Sequence, residues 1–442
     1  MGFRDELAPS LQEILQNGLL DRAFQDALIP AFLFDALADV EPWGGAIGDT
    51  AIKTRAGLLP VSTVPTMYQQ PTPSGYGFEQ YQMTMQQWSD TIDTNMAMSA
   101  MALASKFLED NKQLAINAAA TINALARSAL YAPYAGGQTW VVSGGGAGAT
   151  TVVVNDASGF VNTVQDLSTT GTDPTDGLVG IAVPTVTPVS GAAPLAITAN
   201  GVANTVTGVD LATNTLTLGT ALGVALTAGQ PVISSISSVQ SRPNARATGA
   251  QIVAGDIAAL ATFTTGVTRL RTMKVPRRKG AYTAHIHPQT IEELQQDPNW
   301  LYAYRGRSDS PAYRNFTIGD AMGENAEFMG RFLGIDWIMD TEVPTYVNPA
   351  GVTVYQDCLV GDGALIKGPF SEMASLITEK QGGSTVQIDM IGGVARVLRA
   401  PLDRLGQVLT SSWFWIGAYA AGTDVLTGDA AVYKRACIVE HA

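Results

Sequence analysis

From Ser128 to Ser241 the chain runs 114 residues without a lysine, arginine or glutamate, and only Asp156, Asp166, Asp173, Asp176 and Asp210 carry charge. The rest is mainly Val, Thr, Ala, Gly and Ser, with turn-forming Asn-Asp, Asp-Gly, Asn-Gly and Thr-Asn pairs between short β-branched runs. Thr150–Val154, Gly180–Val183, Ala196–Thr198, Thr205–Val209, Thr215–Leu218 and Pro231–Ile236 are the strand candidates. Short strands at this spacing predict a small β-barrel or sandwich. With so few gatekeeping charges its edges have to be covered by the parent domain or by other molecules.

On either side the chain has a different character. Ile92, Met96, Ala100, Leu103, Phe107, Leu114, Ala118, Ile122, Leu125 and Ala129 keep a spacing of three, four or seven. That stripe predicts a single helix of about 39 residues, about 58 Å long, with Ser89 or Asp90 as its N-cap and Pro133, Gly136 and Gly137 as its stop. Before it, Ala51–Arg55 and the alternation of Tyr81, Met83 and Met85 with glutamine and threonine predict two strands. They are joined through Pro60, Pro65, Pro71 and Pro73, which exclude regular structure. Two strands linked this way predict a protruding arm better than an ordinary loop. Residues 1–40 read as short helical pieces whose thin polar face requires a partner surface.

Composition narrows the function. The 26 basic residues against 39 acids give a net charge of −13, which argues against a protein that coats nucleic-acid phosphates over its whole surface. Two cysteines, Cys358 and Cys437, provide neither a disulfide framework nor a thiolate metal site. The acidic N-terminal stretch is unlike a signal peptide and no apolar run approaches the roughly 20 residues needed to span a bilayer. A soluble protein made in a reducing cytoplasm is expected.

Beyond the uncharged block, Ile252, Val253, Ile257, Leu260, Phe263, Val267 and Leu270 predict an amphipathic helix over 250–273. A strand at Tyr282–Ile286, a helix at Pro288–Gln296 and strands at Asp336–Met339, Val352–Tyr355, Gln387–Met390 and Ala395–Leu398 follow, an α+β pattern without a βαβ rhythm.

Three stretches in order, Thr248–Pro276, Tyr282–Trp300 (YTAHIHPQTIEELQQDPNW) and Gly330–Val343 (GRFLGIDWIMDTEV), resemble the N4-type major capsid proteins of tailed bacteriophages. The arm–helix–α/β order resembles the wider HK97-like tailed-phage capsid fold. The resemblance implies an N-terminal arm at 1–43, an extended two-stranded loop at 44–88 and a spine helix of the peripheral domain at 89–133. It further implies an inserted all-β domain at 134–243 and the rest of the peripheral domain with the axial domain at 244–442. The insert is the departure from the family pattern, and its role does not transfer. The N-terminal segment is expected to be retained rather than removed as a scaffold.

The same resemblance implies that the loop lies over an adjacent subunit, with Lys53, Arg55, Tyr68, Tyr76 and Tyr81 at the contact. Some relatives join subunits by a lysine–asparagine bond, and Lys53 is the only lysine in this loop. Six cations in eleven residues, Arg269, Arg271, Lys274, Arg277, Arg278 and Lys279, form a basic patch. It faces DNA or a scaffolding protein, or else is satisfied by neighbouring acids or an inter-subunit seam; the second reading is preferred on sequence.

Other candidates reduce to structure. His285-x-His287 sets two imidazoles on one face of a strand but lacks a third ligand. Gly144–Gly148 lacks the Lys-Ser/Thr ending of a phosphate loop and reads as a linker. Asp173–Gly177 offers too few oxygens for calcium. No nucleophile sits in a strained-turn motif, so no catalytic, cofactor or metal residue is expected.

The expectation is a major capsid protein that self-assembles into an icosahedral head around double-stranded DNA. Its partners are copies of itself, a portal, and scaffolding or decoration proteins, without a membrane, in a virion assembled in the host cytoplasm. An encapsulin-like nanocompartment shell and a phage tail or fibre protein are the alternatives.

Overall fold

The computed structural model describes residues 19–28, 33–43, 50–56, 67, 78–95, 105–160, 162–164, 186–235, 240–305, 327–370, 386–399, 408–421 and 435–442. Helix α1 (Leu19–Leu28) is followed by a short strap, 33–43, that makes one 3-10 turn at Asp35–Leu37 and then the two-residue strand β1 (Asp39–Val40). Strands β2 (Thr50–Ala56) and β3 (Phe78–Thr84) pair antiparallel over their full length, from Thr50 opposite Thr84 to Ala56 opposite Phe78.

The next element corrects the sequence reading. Gln86–Asn95 is a ten-residue strand, β4, and the long helix α2 occupies Ser105–Ala135, so neither Ser89 nor Asp90 caps a helix. Trp88, Ile92 and Thr94 fall on the inward face at even spacing, and a step of four from Ile92 to Met96 suits a period of two as well as 3.6. The β-branched Thr91, Ile92 and Thr94 favour the strand. At 31 residues, α2 is about 46 Å long.

Strands β5 (Gln138–Gly144), β6 (Thr151–Val154), β9 (Leu195–Ala199), β10 (Val202–Asp210), β11 (Thr215–Leu218) and β12 (Pro231–Ser234) close into a barrel of order β10-β11-β6-β5-β12-β9. Strands β7 (Asn162–Val164) and β8 (Val186–Pro188) pair only with each other among the described residues. The interior is filled by Val141, Val152, Val154, Phe160, Leu195, Ile197, Val206, Leu216 and Val232, while Thr151, Ala196, Thr198 and Thr217 face out. Closure removes the exposed edges that so uncharged a sheet would otherwise present. Gly144 ends β5 rather than opening a linker, and the candidates at 180–183 and 173–177 lie outside the described residues.

The barrel joins α2 through a backbone crossing that admits only glycine. Gly159 has φ +79°, and a Cβ there would sit 2.3 Å from the Gly137 amide nitrogen. Gly159→Ala is therefore expected to destabilise the junction by roughly 2–3 kcal/mol. Gly191→Ala, with open space around it, should leave the calorimetric transition in place.

Strand β13 (Gln240–Ser241) returns the chain to the body. Helix α3 spans Leu260–Thr272, not 250–273. Residues 252–259 are diverted by Gly255 and by Asp256, whose carboxylate accepts the Val253 amide (3.0 Å) and the side chains of Asn244 (2.7 Å) and Arg246 (2.9 Å). Ile252 is buried in this turn, but Val253 and Ile257 are exposed.

The body then adds β14 (Tyr282–Ile286), α4 (Pro288–Gln296), α5 (Pro298–Arg305), β15 (Glu327–Phe332), β16 (Ile335–Met339), β17 (Thr345–Val347), β18 (Thr353–Val360) and, last in the chain, β23 (Ala436–His441). They build a seven-stranded sheet of order β13-β23-β18-β14-β16-β15, with β17 on β18. Strands β14 and β16 are parallel, with α4 and α5 in the connection, a crossover that the sequence reading lacked. One face carries Trp337, Leu359, Cys437 and Val439 against Phe263, Val267 and Leu270 of α3. The opposite face carries Ile338, Cys358, Val360 and Ile438 against Ala126, Leu130, Tyr131 and Tyr134 of α2 and against Phe34 and Leu37 of the strap. The two cysteines thus point to opposite faces and are both free and buried.

A second sheet of order β1-β19-β22-β21-β20 uses β19 (Leu365–Pro369), β20 (Val386–Ile391), β21 (Val394–Arg399) and the 14-residue β22 (Val408–Ala421), with β4 paired to β22. Leu114, Ala115, Ala118, Ala119 and Ile122 of α2 pack on its Trp413 and Trp415 together with Phe24 of α1. The long helix therefore ties two sheets together: its N-terminal half lies on one and its C-terminal half on the other. Its alanines allow that close approach, and its polar residues fasten it. Asn117 accepts the Trp413 indole (3.0 Å), while Asn123 accepts the Phe34 amide (2.8 Å) and donates to Glu342 (2.9 Å).

Candidate assembly surfaces

Among the described residues, the β2–β3 ribbon is anchored at its base. Met83, Met85 and Ala51 pack with Trp43, Ile366 and Ala420 next to the second sheet, whereas Ala56 and Phe78 form the far end of the ladder. Neither strand pairs with a third among the described residues. A two-stranded hairpin alone is marginal in water, so this ribbon needs another surface along its length. Lys53 and Arg55 lie in β2 and Tyr81 in β3, with Lys53 opposite Tyr81 in the register. Tyr68 and Tyr76 lie outside the described residues. Strand β4 is also an edge, paired with β22 alone among the described strands.

The strap explains how the ribbon's base is held. Phe34 and Leu37 are buried between α2 and the seven-stranded sheet, β1 runs parallel to β19, and Trp43 bridges to Phe370. Asp35 pairs with Lys367 (2.8 Å) and accepts the Tyr419 hydroxyl. Burial, together with the Asp35 charge, holds the Tyr419 hydroxyl protonated, its pKa far above the ordinary value. Sequence alone showed an apolar N-terminal segment but not which groove takes it.

The basic patch forms the end of α3 and the turn after it. Arg269, Arg271, Lys274, Arg277 and Lys279 are exposed and Arg278 is half-buried. Arg269 donates to the Gln240 carbonyl and Arg278 to the Leu37 carbonyl of the strap, while Arg277 reaches the Tyr282 hydroxyl. None of the six forms an ion pair with a carboxylate among the described residues. The neighbouring acids expected to satisfy it within the chain are not among those residues.

All three histidines of the chain lie in or beside the seven-stranded sheet, but not as a metal site. His285 is a buried strand residue 3.2 Å from Asp340 and stacked on Phe34, whereas His287 has left the strand and caps α4 by accepting the Gln289 amide. Their shared strand face is thus lost, and no group of three ligating side chains fit for a metal occurs among the described residues. His441 lies between Asp357 (3.1 Å) and Glu293 (3.0 Å). Burial opposes its charge, but the hydrogen bonds and charges of Asp357 and Glu293 outweigh burial and push its pKa up to about 10. The folded value exceeds the unfolded 6.5, so this contribution is complete below about pH 6.5 and is withdrawn as the pH rises through about 10. The melting temperature is expected to fall over that alkaline window, and His441→Gln should flatten this part of the profile while lowering stability at neutral pH.

Sequence reasoning missed Arg242, the first cation after the uncharged run. Its guanidinium bonds Glu440 (2.5 Å), Gln138 of the barrel (2.9 Å) and the Ala247 carbonyl (2.8 Å), with side chains of Arg242 and Glu440 only 5% and 4% exposed. Trp140 of the barrel packs on Tyr346 of the body at 5.4 Å, and a cleft of about 280 Å³ remains between them. The return of charge at the boundary of the run was the available signal.

No family model matches the chain. No curated protein matches it either. Among solved structures, the capsid of Ralstonia phage GP4 is similar over 92% of this chain and 87% of that chain, with 10% identity and a TM-score of 0.48. The capsid of the cyanophage P-SCSP1u is similar over 93% of this chain and 88% of that one, with 10% identity and a TM-score of 0.46. The cyanophage A-1(L) capsid is similar over 93% and 92%, with 11% identity and a TM-score of 0.43.

Proposed function

We propose that this chain is the major capsid protein of a tailed bacteriophage, of the N4 type, and that it builds an icosahedral head enclosing double-stranded DNA. The observation that carries this reading is the β2–β3 ribbon, seven residue pairs long, held at its base and unsupported by a third described strand. Such a ribbon makes energetic sense when a neighbouring copy covers it. Each subunit then stabilises the next through a heterologous contact that closes into a shell. The order of ribbon, long helix, inserted barrel and two sheets, and the three sequence stretches that resemble the family, support the same reading.

In this account the chain is structural rather than enzymatic, and it is a virion component put together in the host cytoplasm with a portal and with scaffolding or decoration proteins. Lys53, Arg55, Tyr68, Tyr76 and Tyr81 lie at the subunit contact, and the barrel reinforces or decorates the shell. Negative-stain microscopy of the purified protein tests the assignment: closed shells are expected. Compact single chains at every concentration would refute it, and open tubes or fibres would move the protein to the tail class. Deletion of 136–242 with equally robust particles would remove the reinforcing role of the barrel.

A further inference from the structure

We infer that the end of α3 and the turn after it form a contact surface for the phosphate backbone of duplex DNA, with Arg271, Lys274 and Lys279 as its charged points. This deepens the shell reading by naming what one surface of the subunit meets. The chain as a whole is acidic, yet no acid occurs between Asp256 and Glu292, a span that holds all six cations.

Nearby acids do not pair with the patch among the described residues. Asp336 is 4% exposed and bound by Arg331, Glu293 faces His441 and the Ala258 amide, and Asp362, whose amide donates to the Pro276 carbonyl (3.0 Å), forms no ion pair with the six cations. Arg269 and Arg278 are tied to backbone carbonyls. Arg271, Lys274 and Lys279 are exposed and have no carboxylate among the described residues.

The surroundings separate the two polyanionic partners that charge alone would allow. A seam between protein copies centres on aromatic or large apolar anchors, with charge at the rim. Here the outward side of α3 is Thr264, Thr265, Thr268 and Thr272; among the described residues Leu333 is the large apolar residue exposed beside Arg271, while Val253 and Ile257 are exposed ahead of the helix, away from the turn. Arginine, lysine and threonine without an apolar centre are the residues that meet phosphates, independently of base sequence.

The test uses the full-length protein kept as subunits and a short fluorescent duplex of mixed sequence, titrated from about 50 to 200 mM salt. Each lost phosphate contact removes about 0.9 from the slope of log affinity against log salt. The triple variant Arg271→Gln, Lys274→Gln, Lys279→Gln is expected to flatten the slope by roughly two to three, and each single variant by about one. Arg271→Lys with Lys274→Arg and Lys279→Arg should keep it, as should Lys106→Gln with Lys112→Gln on α2. If the triple variant melts early, the single and charge-retaining variants decide. An unchanged slope in a folded variant overturns the inference. So does loss of DNA-free particle assembly with DNA affinity intact, which would make the turn a seam between copies. A steep slope in a wild-type protein that never forms shells, flattened in the triple variant, would leave the phosphate surface standing and reject the shell.

Discussion

Arg242→Ala is expected to cost roughly 3–5 kcal/mol, because it leaves the buried Glu440 carboxylate without its counter-charge. The loss exceeds one ion pair's worth, since the same guanidinium also holds Gln138 and the Ala247 carbonyl. Glu440 keeps the Gln356 amide at 2.8 Å and the Tyr346 hydroxyl at 3.4 Å, which soften the loss without neutralising the charge. Arg242→Lys retains charge but not the planar fork and should fall between. The double variant Arg242→Met, Glu440→Gln should be more stable than Arg242→Ala alone, a coupling that urea unfolding can read. Equal losses for the single and double variants would show that the pair is not the clasp between barrel and body.

The second large effect is in the core. Trp337 is fully buried, edge-on to Trp300 at 4.6 Å and to Phe263 at 5.1 Å, where α3, α5 and the seven-stranded sheet meet. Trp337→Ala should cost roughly 3–5 kcal/mol through lost burial and the cavity left behind, and Trp337→Phe clearly less. Calorimetry of the two variants checks the order; an alanine variant as stable as the phenylalanine variant would mean that the sheet collapses around the gap.

Much of this architecture was legible in the residues. The barrel strands at 151–154, 195–199 and 215–218 alternate in a polar–apolar rhythm with one face buried, and Asn- and Gly-containing turns set them off from the β-branched run at 202–210. The ribbon was legible from the alternation of Tyr81, Met83 and Met85 with polar residues. Strand β22 was not: its Trp413, Phe414, Trp415 and Ile416 are packed from both sides, so the alternation that marks a half-buried strand is missing. At β4 the spacing from Ile92 to Met96 fits two periods at once, and tertiary pairing with β22 decides. Over 252–258, the apolar residues suggested a helix while Gly255 and the Asp256 side chain built a turn.

The assembly surfaces were legible unevenly. The cluster of cations is a matter of composition and was visible at once, whereas its lack of carboxylate partners depends on where distant acids fold. Arg396 makes the same point: it is buried in β21 and held by Asp389 (2.7 Å) and Asp21, a partner 375 residues away in the sequence. Long-range polar pairing leaves no local pattern.

Hydrogen exchange of the β2–β3 backbone, in free subunits and in assembled particles, tests the central claim most directly. The account predicts rapid exchange from Thr50–Ala56 and Phe78–Thr84 in the free subunit and strong protection once neighbouring copies cover the ribbon. Equal, strong protection in a chain that stays single would contradict it.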